Sequence, residues 1–277
     1  MATSAEKAEL FRALHHGPDV LVLPNAWDCV SARIFEEAGF PAIATTSAGI
    51  ANAMGYPDGQ RIPREEMLAV VKRIAGCVTV PVTADLEGGY DDIAGTIARL
   101  LETGAIGLNL EDAERDPAQH AQTIATARRA AHDLEVNVVI NARTDIYLAG
   151  VGDPASRFKR ACERSNAYSA SGADCVFIPA VKDEETIRRF VEALHFPLNF
   201  LAVPGSPPVQ RLKELGVARV SVGSGIARAA MALTRRIALE VKTTGSFDGL
   251  AQAFPYDEAN QLFSAGSARH PLPAPAQ

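Results

Sequence analysis

Three short stretches carry side chains whose types and spacing could do chemistry. "VPVTADLEGG" (80–89) sets Asp85 and Glu87 two residues apart after an apolar run. "GLNLED" (107–112) ends on Glu111 and Asp112, and "NVVINARTD" (137–145) ends on Arg143 and Asp145. If these are strands, alternate residues share a face. Thr83, Asp85 and Glu87 then form one set, Asn109 and Glu111 a second with Asp112 turned away, and Asn141 and Arg143 a third. Carboxylates converging from neighbouring strand ends repel unless a cation or a proton intervenes. An oxygen-only donor set without His or Cys suits a hard cation. Mg2+ fits, since it keeps several waters and uses one or two carboxylates; Mn2+ is the near alternative. Arg143 adds a planar fork matched to a carboxylate or phosphate. A metal beside an arginine points to a small anionic ligand. A plainer alternative stays open at this point: Asp85, Glu87 and Glu111 as a solvated or Arg-paired rim, with Asp112 and Asp145 in salt bridges.

The elements that must position these groups alternate along the chain. Strand candidates are 20–23, 42–46, 80–87, 107–112, 137–143, 175–180, 198–203 and 219–224. Their near-continuous apolar character suits strands covered on both faces, as in a parallel sheet. Helix-periodic runs lie between them. Asp28, Asp91 or Asp92, Asp116 and Asp153 stand where N-caps belong, the last two followed by the Pro favoured at the first helical position. A long helix begins near Ile226. Eight βα units in order predict a (β/α)8 TIM-type barrel, with residues 1–277 as one α/β-barrel domain. An open doubly wound sheet is the alternative, disfavoured by the missing early GxGxxG. Active groups of such barrels sit at the C-terminal strand ends. That rule selects the acidic set, Arg143, and the second strand's Thr45, Thr46 and Ser47, followed by a Gly-containing loop carrying Asp58. "SVGSGIARA" (221–229) offers N–H groups at a helix start. The stretch from about residue 245 to 277 reads as extra C-terminal helices and a Pro/Ala-rich tail. Its apolar "LAQAF" and "NQLF" suggest packing on a neighbouring subunit.

Composition narrows the field further. Hydrophobic residues make up 47 % and charged ones 22 %, the balance of a soluble globular protein. The net charge of −6 and the absence of a Lys/Arg run argue against nucleic acid as a partner. No apolar run is long enough to cross a membrane. Cys29, Cys77, Cys162 and Cys175 form no CxxC or Cys/His cluster, which reads as reduced thiols in a cytoplasmic protein. Trp27 reads as a packing residue, and His15 and His16 as surface residues.

At these residues the chain resembles the isocitrate lyase/phosphoenolpyruvate mutase superfamily, in its phosphonomutase-like, oxaloacetate-decarboxylase-like branch. The matching stretches are "LPNAWDCVSARIFEEAGFPAIATTSAGIANAMGYPDG", "VPVTADLEGGY", "GLNLEDA", "VVINARTD" and "SGADCVFIPA". The resemblance implies an α/β barrel whose last helix is exchanged between subunits of a homodimer or homotetramer. It implies a lyase breaking a C–C or P–C bond next to a 2-oxo acid through a pyruvate enolate held by Mg2+. It makes Asp85 the direct or near-direct metal ligand, with Glu87 and Glu111 on its water shell and Asp58 beside those waters. It assigns Thr46, Ser47 and Ala48 to the substrate's carboxylate and ketone oxygen, and Arg143 to its anion. Four departures matter. Glu87 replaces the Asp of many members. The segment "DAERDPAQH" lacks the Lys-Lys-Cys-Gly-His motif of the isocitrate and methylisocitrate lyases. Pro179 stands where mutases tend to carry His and those lyases Glu. "ATTSAG" lacks the mutases' Trp-Gly-Ser-Gly type of sequence. The expectation is therefore a C–C lyase of a small oxaloacetate-like 2-oxo dicarboxylate. Its alternatives are a phosphonopyruvate hydrolase or carboxyphosphonoenolpyruvate mutase and, in another class, a non-catalytic 2-oxo-acid-binding barrel.

Overall fold

A computed structural model describes residues 3–113, 115–150 and 152–264. The expected Pro/Ala-rich tail lies outside the described residues. Among them nine parallel strands form a nearly closed barrel: β1 (Leu21–Leu23), β2 (Asn25–Ala26), β3 (Ile43–Thr45), β4 (Val82–Asp85), β5 (Gly107–Glu111), β6 (Val139–Arg143), β7 (Cys175–Phe177), β8 (Leu198–Leu201) and β9 (Arg219–Ser221). The order around the sheet is β1-β9-β8-β7-β6-β5-β4-β3-β2. The eight expected strands are all present, and the ninth, β2, lies just beyond the expected end of the first at residue 23. Pro24 has no N–H to give a ladder, so β1 pairs with β9 while β2, one residue later, pairs with β3. At that seam the Asn25 side chain does part of the joining. Its Nδ2 donates to Thr45 O (2.8 Å), and its Oδ1 accepts from the N–H groups of Val222 and Gly223 (2.9 Å each). Two of the N–H groups expected to await an anion after the last strand are therefore already satisfied.

Outside the barrel run α1 (Ser4–Leu14), α2 (Cys29–Glu37), α3 (Ser47–Ala53), α4 (Arg64–Cys77), α5 (Ile93–Thr103), α6 (Pro117–Asp133), α7 (Pro154–Ala170), α8 (Glu184–Ala193), α9 (Val209–Glu214), α10 (Gly225–Thr244) and α11 (Tyr256–Gln261). Side chains of Asp28, Asp92, Asp116, Asp153 and Asp183 accept from N–H groups in the first turns of α2, α5, α6, α7 and α8. Asp92, not Asp91, caps α5. The stretch after the second expected strand is not a plain loop: Thr46 caps α3 through Gly49 N (3.3 Å) and starts a two-turn helix.

Strand alternation divides the interior. Leu108, Leu110, Ile140 and Ala142 face outward, sealed under the helices with Ile97, Leu100 and Ile124. Val176, Phe200 and Val220 do the same on the other side with Ile187, Phe190 and Leu212. Each such Val, Leu, Ile or Phe side chain contributes about 1.5–3 kcal/mol by leaving water. The helix α1 lies at the N-terminal ends of the strands, where Phe11 packs on Leu21, Leu23, Ile106 and Val139. This placement corrects one expectation: His15, one helical turn from Phe11, is buried, its ring edge-on to Phe11 (4.8 Å) and its Nδ1 2.8 Å from Phe11 O. Of the two adjacent histidines, His16 is the one on the surface.

The long helix α10 buries little for its twenty residues. Only Ala227 on it is buried, while Ile226, Leu233 and Val241 of one apolar stripe are exposed. Leu262, after α11, returns to a buried position, its carbonyl accepting from Arg33 Nε (2.7 Å). Among the described residues no helix is long and apolar enough to cross a membrane.

Candidate active site

Asp85, Glu111 and Arg143 are the last residues of β4, β5 and β6. They therefore meet at the C-terminal mouth. Asp85 Oδ2 accepts from Ser47 N (3.0 Å) and Ser47 Oγ (2.8 Å), and its own N–H donates to Thr45 Oγ1 (2.9 Å). The start of α3 thus fixes the carboxylate of the neighbouring strand. Glu111 Oε2 lies 2.8 Å from Arg143 Nη1, and Arg143 Nε donates to Asp145 Oδ1 at 2.6 Å. The guanidinium is held on two sides.

Glu87 reaches the mouth by a different route from the one its spacing suggests. The strand stops at Asp85, and Glu87 sits in the left-handed region at φ +52°. Such a conformation costs a non-glycine residue on the order of 1–3 kcal/mol. Of the next two positions, Gly89 is the one whose backbone calls for glycine. A Cβ at Gly88 would come within 2.7 Å of Arg115 Nη2. One at Gly89, whose φ is +88°, would meet Ile93 and Leu110 inside 3.0 Å. Arg115 in turn donates to Glu111 O (2.8 Å) and Gly88 O (3.2 Å), tying the two loops together.

The acids are electrostatically crowded. Burial first, then the charges of Asp85, Glu111 and Asp58, push the Glu87 carboxyl up to about 8. Burial pushes Glu111 up to about 7 despite the pull of Arg143. Glu87 is 3 % exposed and its Oε1 has no hydrogen-bond partner. These observations fit a hard divalent cation: a buried acceptor without a donor, oxygen donors only, and carboxyls whose ionisation is costly until positive charge arrives. Asp85, Glu87 and Glu111 are the residues that would hold it. Among the described residues no three His, Cys, Asp or Glu side chains come together as a direct metal cage. One or two carboxylates plus water is the arrangement Mg2+ favours.

The structure thus brings together Ser47, Asp85, Glu87, Glu111 and Arg143. Asp58 is more distant: exposed in the turn after α3, it acts on Glu87 and Glu111 through its charge. Thr46 is buried and its hydroxyl caps α3, while Ala48 follows Ser47 half-buried. Three residues outside the expected set also build the mouth. Asp145 braces Arg143, Arg115 ties the loops, and Gln60 Oε1 accepts from Gly88 N (3.1 Å). Asp145 was visible as a rim salt bridge. Nothing in the local sequence marks Arg115 or Gln60.

Asp112 turns away as its parity requires, into a closed network. Its Oδ2 accepts from Arg164 Nη1 (2.6 Å) and Tyr168 OH (2.8 Å), and its Oδ1 from Asp145 N (3.1 Å). His120 packs edge-on against Tyr168, ring centres 4.7 Å apart.

A nearly closed parallel barrel with acids and an arginine on adjacent strand ends defines the class of α/β barrels whose site is the C-terminal mouth. The comparisons narrow the class. The family model described as phosphoenolpyruvate phosphomutase matches residues 11–242, and the chain belongs to that family, within the isocitrate lyase/phosphoenolpyruvate mutase superfamily. A Burkholderia cenocepacia structure described as a lyase/mutase superposes with a TM-score of 0.88 at 35 % identity, covering 97 % of this chain and 99 % of that one. An uncharacterized protein of Mycobacterium tuberculosis is 38 % identical over 77 % of this chain and 81 % of its own length. The 2-methylisocitrate lyase of Bacillus subtilis is 29 % identical (71 % of this chain, 67 % of that one). The oxaloacetate decarboxylase of Rhodopseudomonas palustris is 27 % identical (72 % and 70 %).

Proposed function

We propose that this chain is a cytoplasmic, Mg2+-dependent lyase that cleaves a C–C bond of a small oxaloacetate-like 2-oxo dicarboxylate through a pyruvate enolate, with Mn2+ as the near alternative metal. The observation that carries the reading is the meeting of a crowded acid cluster, Asp85, Glu87 and Glu111, with a braced arginine at one mouth. When bound, the metal supplies a Lewis acid for the oxygen on which negative charge develops. Arg143, with Nε and Nη1 already fixed by Asp145 and Glu111, presents its remaining donors to the substrate's carboxylate. Ser47 holds Asp85 in one orientation, and the 46–48 segment lines the place of the substrate's ketone and carboxylate oxygens. In a decarboxylation the electrons of the breaking C–C bond pass toward the 2-oxo oxygen. CO2 leaves, and the enolate takes a proton to give pyruvate. The likeness to methylisocitrate lyases extends to the family but not to the loop after β5. There "DAERDPAQH" supplies no cysteine to act as acid or base.

An NMR product screen over 2-oxo and 2-hydroxy di- and tricarboxylates and phosphonopyruvate, with Mg2+, tests this. Pyruvate and CO2 from an oxaloacetate-like substrate is the expected result. Phosphate or phosphonate products would establish instead the P–C reading that the phosphomutase family supports. Saturable binding without turnover anywhere on the panel would leave a 2-oxo-acid-binding barrel. The same proposal includes a homodimer or homotetramer in which a second copy covers the exposed apolar stripe of α10. A monomer by light scattering at micromolar concentration would remove that part.

A further inference from the structure

Beneath the mouth lies a charge that the proposed chemistry does not use. Arg219, the first residue of β9, is 0 % exposed. In the sheet order β9 stands four places from β5, on the opposite wall of the barrel. Its guanidinium nevertheless reaches Asn109 on β5, with Nη2 3.3 Å from Oδ1, so it spans the interior. Below it are His15 of α1, with Nη1 3.5 Å from Nε2, and the Phe11 ring, 6.0 Å from Cζ. Every one of these neighbours is neutral. Burial and the adjacent Arg219 push His15 down to about 3, and burial pushes the nearby Cys175 thiol up to about 12. Burial also lowers Arg219 itself, to about 10, which still leaves it a cation at neutral pH. Among the described residues no carboxylate pairs with it.

A cation sealed in a barrel without a carboxylate partner is costly, and an apolar side chain of similar volume serves stability as well or better. What it does supply is a field. The register partner of Asn109 is Asp85, so the guanidinium's contact on the far wall is one strand from the first carboxylate of the mouth. Asp85 is also the carboxylate whose charge acts on Arg219. We infer that Arg219 is a buried positioning charge for the mouth. From below, it offsets Asp85, weakening the mouth's hold on a cation and strengthening its hold on an anion. It keeps the acid cluster from binding its metal too tightly and helps retain an anionic substrate. The inference rests on the metal and 2-oxo-acid reading of the site.

Calorimetry on the full chain tests it with two probes. Mg2+ alone is titrated into metal-free protein, and oxalate, a planar dianion shaped like the enolate, into Mg2+-loaded protein. Arg219→Met is expected to bind Mg2+ more tightly and oxalate more weakly, each by on the order of tenfold. Its metal-free unfolding midpoint should be no lower than that of the wild type. Arg219→Lys, which keeps the charge, should restore both constants toward wild type. Two constants moving in opposite directions cannot come from loosened packing. Weakening of both ligands, no change in either, or failure of Arg219→Met to fold would assign the residue a packing role and overturn the inference. A wild-type protein that takes up neither Mg2+ nor oxalate would overturn the reading of the site, and this one with it.

Discussion

Glu111 and Asp112 are adjacent carboxylates on one strand end, and their environments are opposite. Glu111 points into the mouth, where burial and neighbouring acids raise it to about 7 even with Arg143 at 2.8 Å. Asp112 points outward and is fully buried. There burial also raises it, but the Asp145 N–H, the Thr144 and Tyr168 hydroxyls and the Arg164 cation together bring it below the usual carboxylate range. One carboxylate is left wanting positive charge and the other is saturated. Glu111 keeps 17 % of its side chain exposed against 0 % for Asp112, but exposure is not the cause of the contrast, since Glu87 in the same mouth is only 3 % exposed. What separates them is whether the surrounding donors were completed by the fold itself. The complete network is support: through Asp145 N, Asp112 fixes the residue that braces Arg143. The incomplete one is where a ligand has something to add.

The contrast breaks most visibly on the support side. Arg164→Met leaves Asp112 buried without its cation and is expected to cost about 3–5 kcal/mol of stability. Chemical denaturation measures this, and a loss near zero would mean that Asp112 is not held as an ion. At the mouth, Asp85→Asn should reduce turnover on the order of 10²–10³-fold while the unfolding midpoint stays near wild type. Full activity in chelator-treated protein would defeat the metal reading behind that expectation.

The pH profile of the metal-free protein sharpens the comparison further. Glu87 and Glu111 are raised to about 8 and 7, so the folded state binds the extra protons and stability rises as pH falls from about 8. His120 and His15 are lowered to about 4 and 3, so the unfolded state binds the extra protons below 6.5 and stability falls. Each group contributes a slope of at most about 1.4 kcal/mol per pH unit. The two pairs oppose each other between 4.5 and 6.5. Thermal unfolding should therefore show a maximum in that window, and saturating Mg2+ should flatten the alkaline limb. A midpoint climbing steadily to pH 8 without metal would contradict the crowding of the mouth. The smallest effect belongs to Glu87→Gln, which copies the protonated acid. Stability should move by no more than about 1 kcal/mol, while Mg2+ affinity measured by calorimetry drops.

Composition and periodicity made most of this visible beforehand. Apolar strands and Asp caps located the repeated units. Parity correctly sent Glu111 and Arg143 inward and Asp112 out, because β5 and β6 run regularly to those residues. The same rule gave the right place for Glu87 for the wrong reason. Its strand had already ended, and a left-handed residue ahead of Gly88 and Gly89 turns it in. Partners distant in sequence were hidden. Arg164 meets Asp112 only because α7 packs beside α6, and no local pattern encodes that meeting. The exposed His16 is no guide to the buried His15 beside it. The helical neighbour of His15 is Phe11, four residues back, and that face is the one α1 turns to the barrel.

The break between β1 and β2 has a consequence for how this barrel can change over time. Backbone pairing is indifferent to side-chain identity, so most of the ring tolerates substitution without losing its seams. At Pro24 the ladder keeps an acceptor, for Ala44 N, but has no donor, and the amide of Asn25 supplies further fastening, as a donor to one side and an acceptor from the other. A fastening made by a side chain can be undone by a single base change. Asp at this position would keep the acceptor and lose the donor, leaving one half of the clasp closed and the other open. The fastening of β2 to β3 made by the Asn25 donor is therefore a part of the ring that a single mutation reaches directly.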